Sequence, residues 1–161
     1  TAVQLATLDD LTNIPNRRGF MMVAQHSLQL CVRQKIPASL VYLDLDNFKL
    51  INDTFGHAEG NRVLITFAKL MNTLCRESDL FARLGGDEFV MLLIDVGEDS
   101  AENYIIRLQR SLDQHSKTQD FDYEITFSSG IVEYSSDKHH SIEALLESGD
   151  SQMYEYKKAK K

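Results

Sequence analysis

A Gly-Gly pair at residues 85–86 constrains the fold of this chain more than any other feature. The residues on both sides, 80–84 and 89–94, are almost all apolar. This pattern predicts two antiparallel strands joined by a tight turn, because glycine readily adopts the positive φ angles that short hairpins require. Two acids, Asp87 and Glu88, follow the turn directly. The hairpin is therefore either an ordinary turn with solvated carboxylates or a place where these carboxylates meet a cation.

The rest of the chain alternates helix and strand patterns. Residue spacing and turn chemistry predict helices over residues 17–34, 47–52, 59–76, 99–115 and 141–158, and strands over 39–45 and within 123–134. Hairpin-linked strands combined with helical crossovers predict an α/β (α+β) fold with helices on the faces of a mixed sheet, rather than a doubly wound sheet. We expect residues 1–8 to be a helical linker from an upstream region and residues 9–161 to form the domain.

Composition limits the classes of function. The chain has 161 residues, of which 43% are hydrophobic, enough for one globular core without disulfides. We therefore interpret Cys31 and Cys75 as free thiols. A net charge of −7 argues against a general nucleic-acid binder, but not against a nucleotide delivered with a divalent metal. No apolar run is long enough to span a membrane, so we expect this fragment to be cytoplasmic and to make no membrane contact, even if other regions anchor the full-length protein.

Asp44 and Asp46 stand two residues apart where a buried strand is predicted to end. Side chains two apart on a strand share a face, so one or both carboxylates could meet an acid from the hairpin. Carboxylates together with substrate phosphates are the usual ligands of Mg²⁺, and metal ions held in this way stabilise phosphoryl transfer. The pattern therefore favours a Mg²⁺ site between this strand end and the hairpin.

Asn47, Phe48 and Lys49 follow these acids at the start of the predicted short helix. Backbone N–H groups at a helix start, and a lysine, can bind phosphate oxygens. The chain has no Walker-A pattern, so phosphate binding here would not use a P-loop. Taken alone, Lys49 would be an ordinary solvated lysine. Beside an acidic strand end, phosphate binding is the better interpretation.

Four segments of the chain, in order, resemble the GGDEF domain family, the catalytic module of diguanylate cyclases. Together they cover nearly the whole length, so chance similarity of one short string does not explain them. The matching residues are Asp9-Asp10-Leu11-Thr12 with Pro15-Asn16-Arg17-Arg18; Asp44-Leu45-Asp46-Asn47-Phe48-Lys49 with Ile51-Asn52-Asp53 and Gly56-His57; Gly85-Gly86-Asp87-Glu88-Phe89; and Asp150, Met153, Tyr154 and Lys157.

This resemblance implies a fold and a reaction. The fold would be like the palm of polymerases and adenylyl cyclases, with a mixed, largely antiparallel five-stranded sheet flanked by helices. The reaction would condense two GTP molecules into cyclic di-GMP, a bacterial second messenger, with release of two pyrophosphates. Each domain would bind one GTP, so catalysis would require a homodimer arranged by an upstream sensor or dimerisation domain.

The resemblance also implies roles for individual residues. Asp44 and Asp87 would hold Mg²⁺, or alternatively Mn²⁺, with help from the Leu45 carbonyl. Glu88 would support the ribose 3′-hydroxyl or the metal shell. The implied substrate contacts are Asn47, Phe48, Lys49 and Lys157 for the phosphates, Asn52 for the guanine edge, and Gly85 and Gly86 for close approach of GTP to the backbone. The residues implied in catalysis are Asp87, Glu88 and Lys49.

A second site is implied at Arg76 and Asp79, which match the spacing of the family's RxxD motif. Arg76 would bind guanine and phosphate of cyclic di-GMP, Asp79 would bind the guanine N–H groups, and Arg107 would contribute from another face. The product would then inhibit the enzyme. The alternative is an exposed ion pair at a helix end, which would contribute little.

Two further positions depart from the family pattern. Asn61 stands where the family commonly has an aspartate that accepts hydrogen bonds from guanine, and its uncharged oxygen should bind more weakly by about 1 kcal/mol. Lys161 stands where an arginine is usual, and would contact phosphate without the bidentate fork. Two alternatives to a GTP-specific cyclase therefore stay open: a catalytically idle receptor for cyclic di-GMP, and a cyclase with relaxed purine choice.

Overall fold

Four antiparallel strands form the centre of the structure, a computed structural model that describes residues 6–118 and 121–160. Helices cover both faces of the sheet, as the α+β fold class predicts. In chain order the elements are α1 (Arg17–Gln34), β1 (Ala38–Leu45), α2 (Phe48–Phe55), α3 (His57–Leu74), β2 (Leu80–Gly85), β3 (Glu88–Ile94), α4 (Glu98–Thr118), β4 (Phe127–Glu133) and α5 (Ile142–Ala159).

The strand order is β2-β3-β1-β4, and each neighbouring pair is antiparallel. β2 and β3 are the two arms of the predicted hairpin, which is confirmed. β1 lies between β3 and β4, and all of its residues are buried except Asp44, which is partly exposed. The central position of β1 therefore delivers Asp44 to the edge of the sheet where the hairpin turns.

The implied five-stranded sheet is wrong in strand number, because the sheet formed by the described residues has four strands. The predicted strand region 123–134 contributes only β4. Tyr123 leaves the sheet because its ring stacks on Phe55 at 4.6 Å and its hydroxyl donates to Glu59 at 2.6 Å. These contacts draw the segment before β4 over α2 and α3. The predicted helix over residues 47–52 is also too short, since α2 continues to Phe55.

Alternation along β1 divides the core between the two faces of the sheet. Val41, Leu43 and Leu45 pack in the cluster that contains the buried side chains of α3 and α4. Leu40 and Tyr42 pack in the cluster that contains those of α1 and α5. Successive strand residues point to opposite faces, so Asp44 lies on the α5 side. Any cation that α5 presents to the end of β1 will therefore meet this carboxylate.

Two glycines let α5 lie directly on the sheet. A Cβ at Gly130 of β4 would come within 2.4 Å of the Met153 nitrogen and 2.5 Å of the Gly149 carbonyl oxygen. A Cβ at Gly149 would come within 3.0 Å of Leu40. This close approach needs glycine on both elements. It places the last turns of α5 over the ends of β1 and β4.

The predicted N-terminal linker is only partly described. Residues 6–8 are not helical; instead Leu8 pairs with Pro15 in an isolated antiparallel bridge. Asn16 then caps α1 by accepting a hydrogen bond from the Gly19 amide at 2.9 Å. Residues 1–5 lie outside the described residues. Among the described helices, none combines the length and apolarity that a membrane crossing would need.

Gly130→Ala should lower the free energy of unfolding by about 1–3 kcal/mol, since the new methyl group would overlap the backbone of α5. Urea denaturation would measure the change. Gly97→Ala is a matched control, because its Cβ would meet only the flexible Glu133 carboxylate at 3.1 Å. If Gly130→Ala were as stable as the parent, the close packing of α5 on β4 would be contradicted.

Candidate active site

The turn of the hairpin is held by Arg83 and is open on its outer side. Gly85 and Gly86 have φ angles of 147° and 50°, and apart from their chain neighbours no described residue has an atom within 4 Å of where a Cβ would stand on either. Arg83 donates to the Gly86 carbonyl oxygen from Nε at 3.0 Å and from Nη2 at 2.7 Å, and its Nη1 donates to both carboxylate oxygens of Asp9 at 3.1 Å. The glycines therefore allow the turn and leave its surface accessible to a ligand.

The register of β1 and β3 brings the carboxyl groups of Asp44 and Asp87 together. Asp44 lies opposite Glu88 in this register, and the Leu45 amide donates to the Asp87 carbonyl oxygen at 3.1 Å. Burial, and then the adjacent Asp44 carboxyl group, raise the pKa of Asp87 to about 7. The two negative charges therefore repel each other in a place where water screens them poorly.

One oxygen of Asp44 has no hydrogen-bond donor. Asp44 Oδ1 is buried and receives no hydrogen bond from a described residue, whereas Oδ2 accepts from Lys157 Nζ at 2.8 Å. A buried carboxylate oxygen without a partner is unfavourable unless a cation or a donor meets it. An unpartnered oxygen beside a second carboxyl group fits a divalent cation.

The protein groups near this oxygen would leave room for substrate ligands. Among the described residues, no cluster of three or more histidine, cysteine, aspartate or glutamate side chains could hold a metal by itself. The predicted set contains only two carboxylates, Asp44 and Asp87, and the Leu45 carbonyl. This donor set suits Mg²⁺, which usually keeps several ligand positions for water and substrate phosphates.

Lys157 of α5 supplies the counter-charge to Asp44. Its ammonium group forms an ion pair with Asp44 in which the two side chains are 31% and 13% exposed. Burial lowers the pKa of Lys157, but the hydrogen bond to Asp44 and the negative charges of the nearby aspartates together outweigh burial, and the pKa lies above its ordinary value. Lys157 therefore carries a full positive charge beside the paired carboxyl groups.

Asp46 was the second candidate for the metal site, and both of its carboxylate oxygens accept hydrogen bonds from protein donors. It accepts hydrogen bonds from Ser128 Oγ at 2.7 Å, Thr126 Oγ1 at 2.8 Å and Lys160 Nζ at 2.8 Å. Burial raises the pKa of Asp46, but these donors, Lys160 first, lower it below the ordinary value. Asp44 rather than Asp46 thus has an oxygen to offer a metal.

A cleft of about 460 Å³ opens beside these carboxylates, lined by Asp46, Asn47, Thr126, Lys157 and Lys160. The predicted phosphate-binding helix start lies at its edge. Asn47 has a positive φ of 56° and directly precedes α2. Phe48 is partly buried, and Lys49 is exposed on the first turn. Lys161, the other predicted phosphate contact, lies outside the described residues.

Glu88 has a partner that the sequence interpretation missed. The Tyr42 hydroxyl donates to Glu88 Oε2 at 2.8 Å, and Tyr42 is buried in the core between the sheet and α5. Burial, and then Glu88, raise the pKa of Tyr42 above its ordinary value, so the hydroxyl stays a donor. Tyr42 stands two residues before Asp44, and this strand spacing was the available signal that both face Glu88.

The two predicted base-reading residues lie on neighbouring helices. Asn52 of α2 packs against Gly60 of α3 so closely that a Cβ on Gly60 would lie 1.8 Å from the Asn52 side-chain oxygen. Asn61 is exposed on α3 and lines a separate cleft that also contains Arg62 and Lys69. Gly60 therefore holds Asn52 in place, while Asn61 faces basic rather than acidic neighbours.

Arg76 and Asp79 lie at the other end of β3 from the turn, about 20 Å away by strand geometry. The Asp79 side chain is fully buried, whereas that of Arg76 is 48% exposed, so the alternative of a wholly exposed pair is wrong. Asp79 Oδ2 accepts from the Arg76 amide at 2.9 Å and from Nε at 3.3 Å; Oδ1 accepts from Arg76 Nη2 and the Ile94 amide, both at 3.1 Å. All four acceptor positions of this carboxylate are thus used.

Tyr104 of α4 joins this second group of residues. Its pKa is raised by burial first and then by the nearby Asp79 carboxylate. The Arg107 guanidinium lies 5.9 Å from the centre of the Tyr104 ring. Arg107 therefore approaches the Arg76–Asp79 pair through Tyr104, a residue that the sequence interpretation did not include.

Fold and site together define a class of protein: a domain with an antiparallel sheet whose paired carboxyl groups, lysines and helix start suit the phosphates of a metal-bound nucleotide. The family model described as diguanylate cyclase, GGDEF domain, matches residues 6–161. The chain belongs to this family, and the resemblance drawn from its motifs is confirmed.

Relatives of established name are similar over most of this chain. The biofilm architecture maintenance protein MbaA of Vibrio cholerae is 35% identical over 98% of the chain, and the diguanylate cyclase DgcP of Escherichia coli is 35% identical over 94% of it. The matched parts are 21% of MbaA and 45% of DgcP, so the chain spans less than half the length of either relative.

Solved structures share the fold. The GGDEF domain of YfiN from Pseudomonas aeruginosa has a TM-score of 0.84 and 31% identity, with 94% of this chain and 89% of that domain covered. The GGDEF domain of DgcB from Caulobacter crescentus, in complex with c-di-GMP, has a TM-score of 0.82 and 26% identity, with 99% and 94% covered.

Asp87→Asn should stabilise the metal-free protein. The folded-state pKa of Asp87 is raised, so the folded protein binds the proton more tightly than the unfolded chain and loses stability as pH rises from about 4 to about 7. The variant does not lose this stability, so the difference in free energy of unfolding between variant and parent should grow from about pH 4 to about pH 7. Above that range it should stay constant at roughly 1–2 kcal/mol. Urea denaturation with EDTA at several pH values would measure it.

Asp46→Asn is the matched control for this experiment. The pKa of Asp46 is lowered in the folded state, so its charge stabilises the protein above the unfolded-state pKa. This variant should therefore be less stable than the parent at neutral pH. If Asp87→Asn were destabilising at neutral pH, the repulsion between Asp44 and Asp87 would be contradicted.

Proposed function

We propose that this chain is the catalytic domain of a diguanylate cyclase, which condenses two GTP molecules into cyclic di-GMP and releases two pyrophosphates. The observation that carries the proposal is the buried, unpartnered Oδ1 of Asp44, beside Asp87 and next to the lysine-lined cleft. Membership of the GGDEF family and the similarity to DgcP support it. We place the reaction in the cytoplasm, which contains GTP.

Asp44, Asp87 and the Leu45 carbonyl would hold Mg²⁺ or Mn²⁺. When bound, the ion supplies positive charge to the phosphate oxygens. The two carboxyl groups repel each other without it, so the site favours a cation over an empty state.

The cleft would receive the triphosphate. Lys157 is one of the two lysines of its wall, and the amides at Asn47 and Phe48 begin α2, where a helix start attracts anions. Lys49, exposed on the same turn, would add a flexible charge. These groups orient the α-phosphate and offset charge as pyrophosphate leaves.

Glu88 would activate the ribose 3′-hydroxyl, which is the attacking group. Its carboxylate is oriented by the hydrogen bond from Tyr42, and its free oxygen can accept the hydrogen of the ribose 3′-hydroxyl. The 3′-oxygen then forms a bond to the α-phosphorus of the other GTP, and the bond from that phosphorus to pyrophosphate breaks. Repetition of this step in the opposite direction closes the ring.

The active species would be a homodimer. The described part of the chain contains one cleft of this kind, whereas the product contains two nucleotides joined by two phosphodiester bonds. Two domains facing each other would supply the two nucleotides, one from each cleft. An upstream sensor or dimerisation region would set that arrangement, in keeping with the small share of MbaA and DgcP that the chain matches.

A second candidate is a cyclase with relaxed purine choice, and Asn61 is the observation that favours it. Asn52 would read the guanine edge from α2, and Asn61 would contribute from its exposed position on α3. Asn61 offers an uncharged oxygen to guanine N–H groups where a carboxylate would discriminate more strongly against adenine.

Product inhibition is a further part of the proposal. The exposed side of Arg76 offers donors to a phosphate or guanine, Arg107 adds charge nearby, and the related DgcB domain is known in complex with c-di-GMP. Because both oxygens of Asp79 are occupied, guanine could reach Asp79 only if the Arg76 side chain moved. Binding would therefore exchange the Arg76–Asp79 contact for contacts with the product.

The proposal predicts cyclic di-GMP from the purified chain, fused to a dimerising coiled coil, with Mg²⁺ and GTP. Asp87→Ala should abolish turnover but leave cyclic di-GMP binding intact, because the second site lies at the far end of β3. Mass spectrometry of the products and calorimetric titration would test both.

If an intact dimer made no product, the chain would be a receptor for cyclic di-GMP rather than a cyclase. An adenine-containing product from GTP with ATP would establish relaxed purine choice. Loss of product binding in Asp87→Ala would contradict two separate sites.

Arg76→Ala should relieve product inhibition, raising the inhibitory concentration of cyclic di-GMP by about tenfold or more, since charge-assisted hydrogen bonds to the ligand are lost. Glu77→Ala, at an exposed neighbouring position, is the control and should keep normal inhibition. Thermal unfolding would show that the variant is folded despite the donors removed from Asp79. Unchanged inhibition in folded Arg76→Ala would rule out this site.

A further inference from the structure

Lys160 enters the substrate cleft from the last turn of the domain, although no motif pointed to it. It follows directly after α5, and its side chain is one of those that line the cleft. The ammonium group donates to Asp46 Oδ2 at 2.8 Å and to the Phe127 carbonyl oxygen at 2.9 Å. These acceptors belong to the ends of two neighbouring strands, so both hold the lysine at one place.

The anchored ammonium group retains a donor. A lysine has three N–H groups, and two are used by Asp46 and Phe127. In the part of the chain that the structure describes, no third oxygen or nitrogen accepts a hydrogen bond from Lys160; its ammonium group also lies 5.0 Å from the centre of the Tyr156 ring. The side chain is 37% exposed, so the third N–H can reach a ligand in the cleft.

Lys160 is not the sole donor to Asp46, which also accepts hydrogen bonds from Thr126 and Ser128. Its charge is therefore shared among three donors. A second anion can approach the lysine without leaving Asp46 unsatisfied. Because both anchors already restrict the lysine, less side-chain entropy is lost when it binds a ligand.

We propose that Lys160 is a second phosphate-binding lysine of the GTP site, acting beside Lys157 while it stays anchored to Asp46 and Phe127. Both lysines line the same cleft, three residues apart, and so lie on the same side of the α5 terminus. The ligand class is a polyphosphate. This inference rests on the proposed function, because it assigns the cleft to the triphosphate of GTP.

Calorimetric titration of the purified chain with GTP, and separately with inorganic tripolyphosphate, both in Mg²⁺, would test the proposal. Lys160→Met removes the charge with little change of volume, and should weaken binding of each ligand by about tenfold. Lys160→Arg keeps the charge and should bind within about threefold of the parent. Lys158→Met, at an exposed position nearby, is the matched control and should bind like the parent.

Two results would overturn the proposal: parent-like binding in Lys160→Met, or equal weakening in Lys160→Met and Lys160→Arg, which would indicate a purely positional role. Thermal unfolding of each variant would verify folding. Tripolyphosphate binding needs no turnover, so this test stands apart from the cyclase assay. A parent that binds both ligands but makes no cyclic di-GMP would contradict the proposed function and leave the inference on Lys160 standing.

Discussion

The enforced proximity of the Asp44 and Asp87 carboxyl groups is the constraint on which the site depends. Without the fold the two groups would move apart, because like charges in a half-buried place repel each other. The β1–β3 ladder holds them there, because seven register pairs along the strands fix the position of the strand ends. Lys157 offsets only one oxygen of Asp44, so the site retains a demand for positive charge.

The fold meets part of this demand by laying α5 directly on the sheet. Glycine at 130 and at 149 removes the side chains that would otherwise separate the helix from β4 and β1. The end of α5 therefore reaches the strand ends, where Lys157 and Lys160 pair with the two aspartates of β1 and its continuation. Although the chain has a net charge of −7, two lysines therefore line the cleft in which we propose that the triphosphate binds.

The strand β3 separates two groups of polar residues. Its first residues follow the turn and carry Glu88, whereas its last residue, Ile94, meets Asp79 and Arg76. The turn is also tied to the opening segment of the domain through the ion pair of Arg83 with Asp9. The position of the turn therefore depends on the segment through which an upstream region would connect.

Local patterns in the sequence were sufficient for the hairpin, the five helices and the family, because each depends on spacing or on a short motif. The sequence predicted one strand too many, because the aromatic segment before β4 packs on α2 and α3 instead of joining the sheet. Only the tertiary structure decided that Asp46 accepts three hydrogen bonds, that Asp79 is buried, that Tyr42 donates to Glu88 and that Lys160 lines the cleft. Tyr42 and Glu88 are 46 residues apart and Lys160 and Asp46 are 114 apart, and helix packing on the sheet, which no local pattern encodes, brings them together.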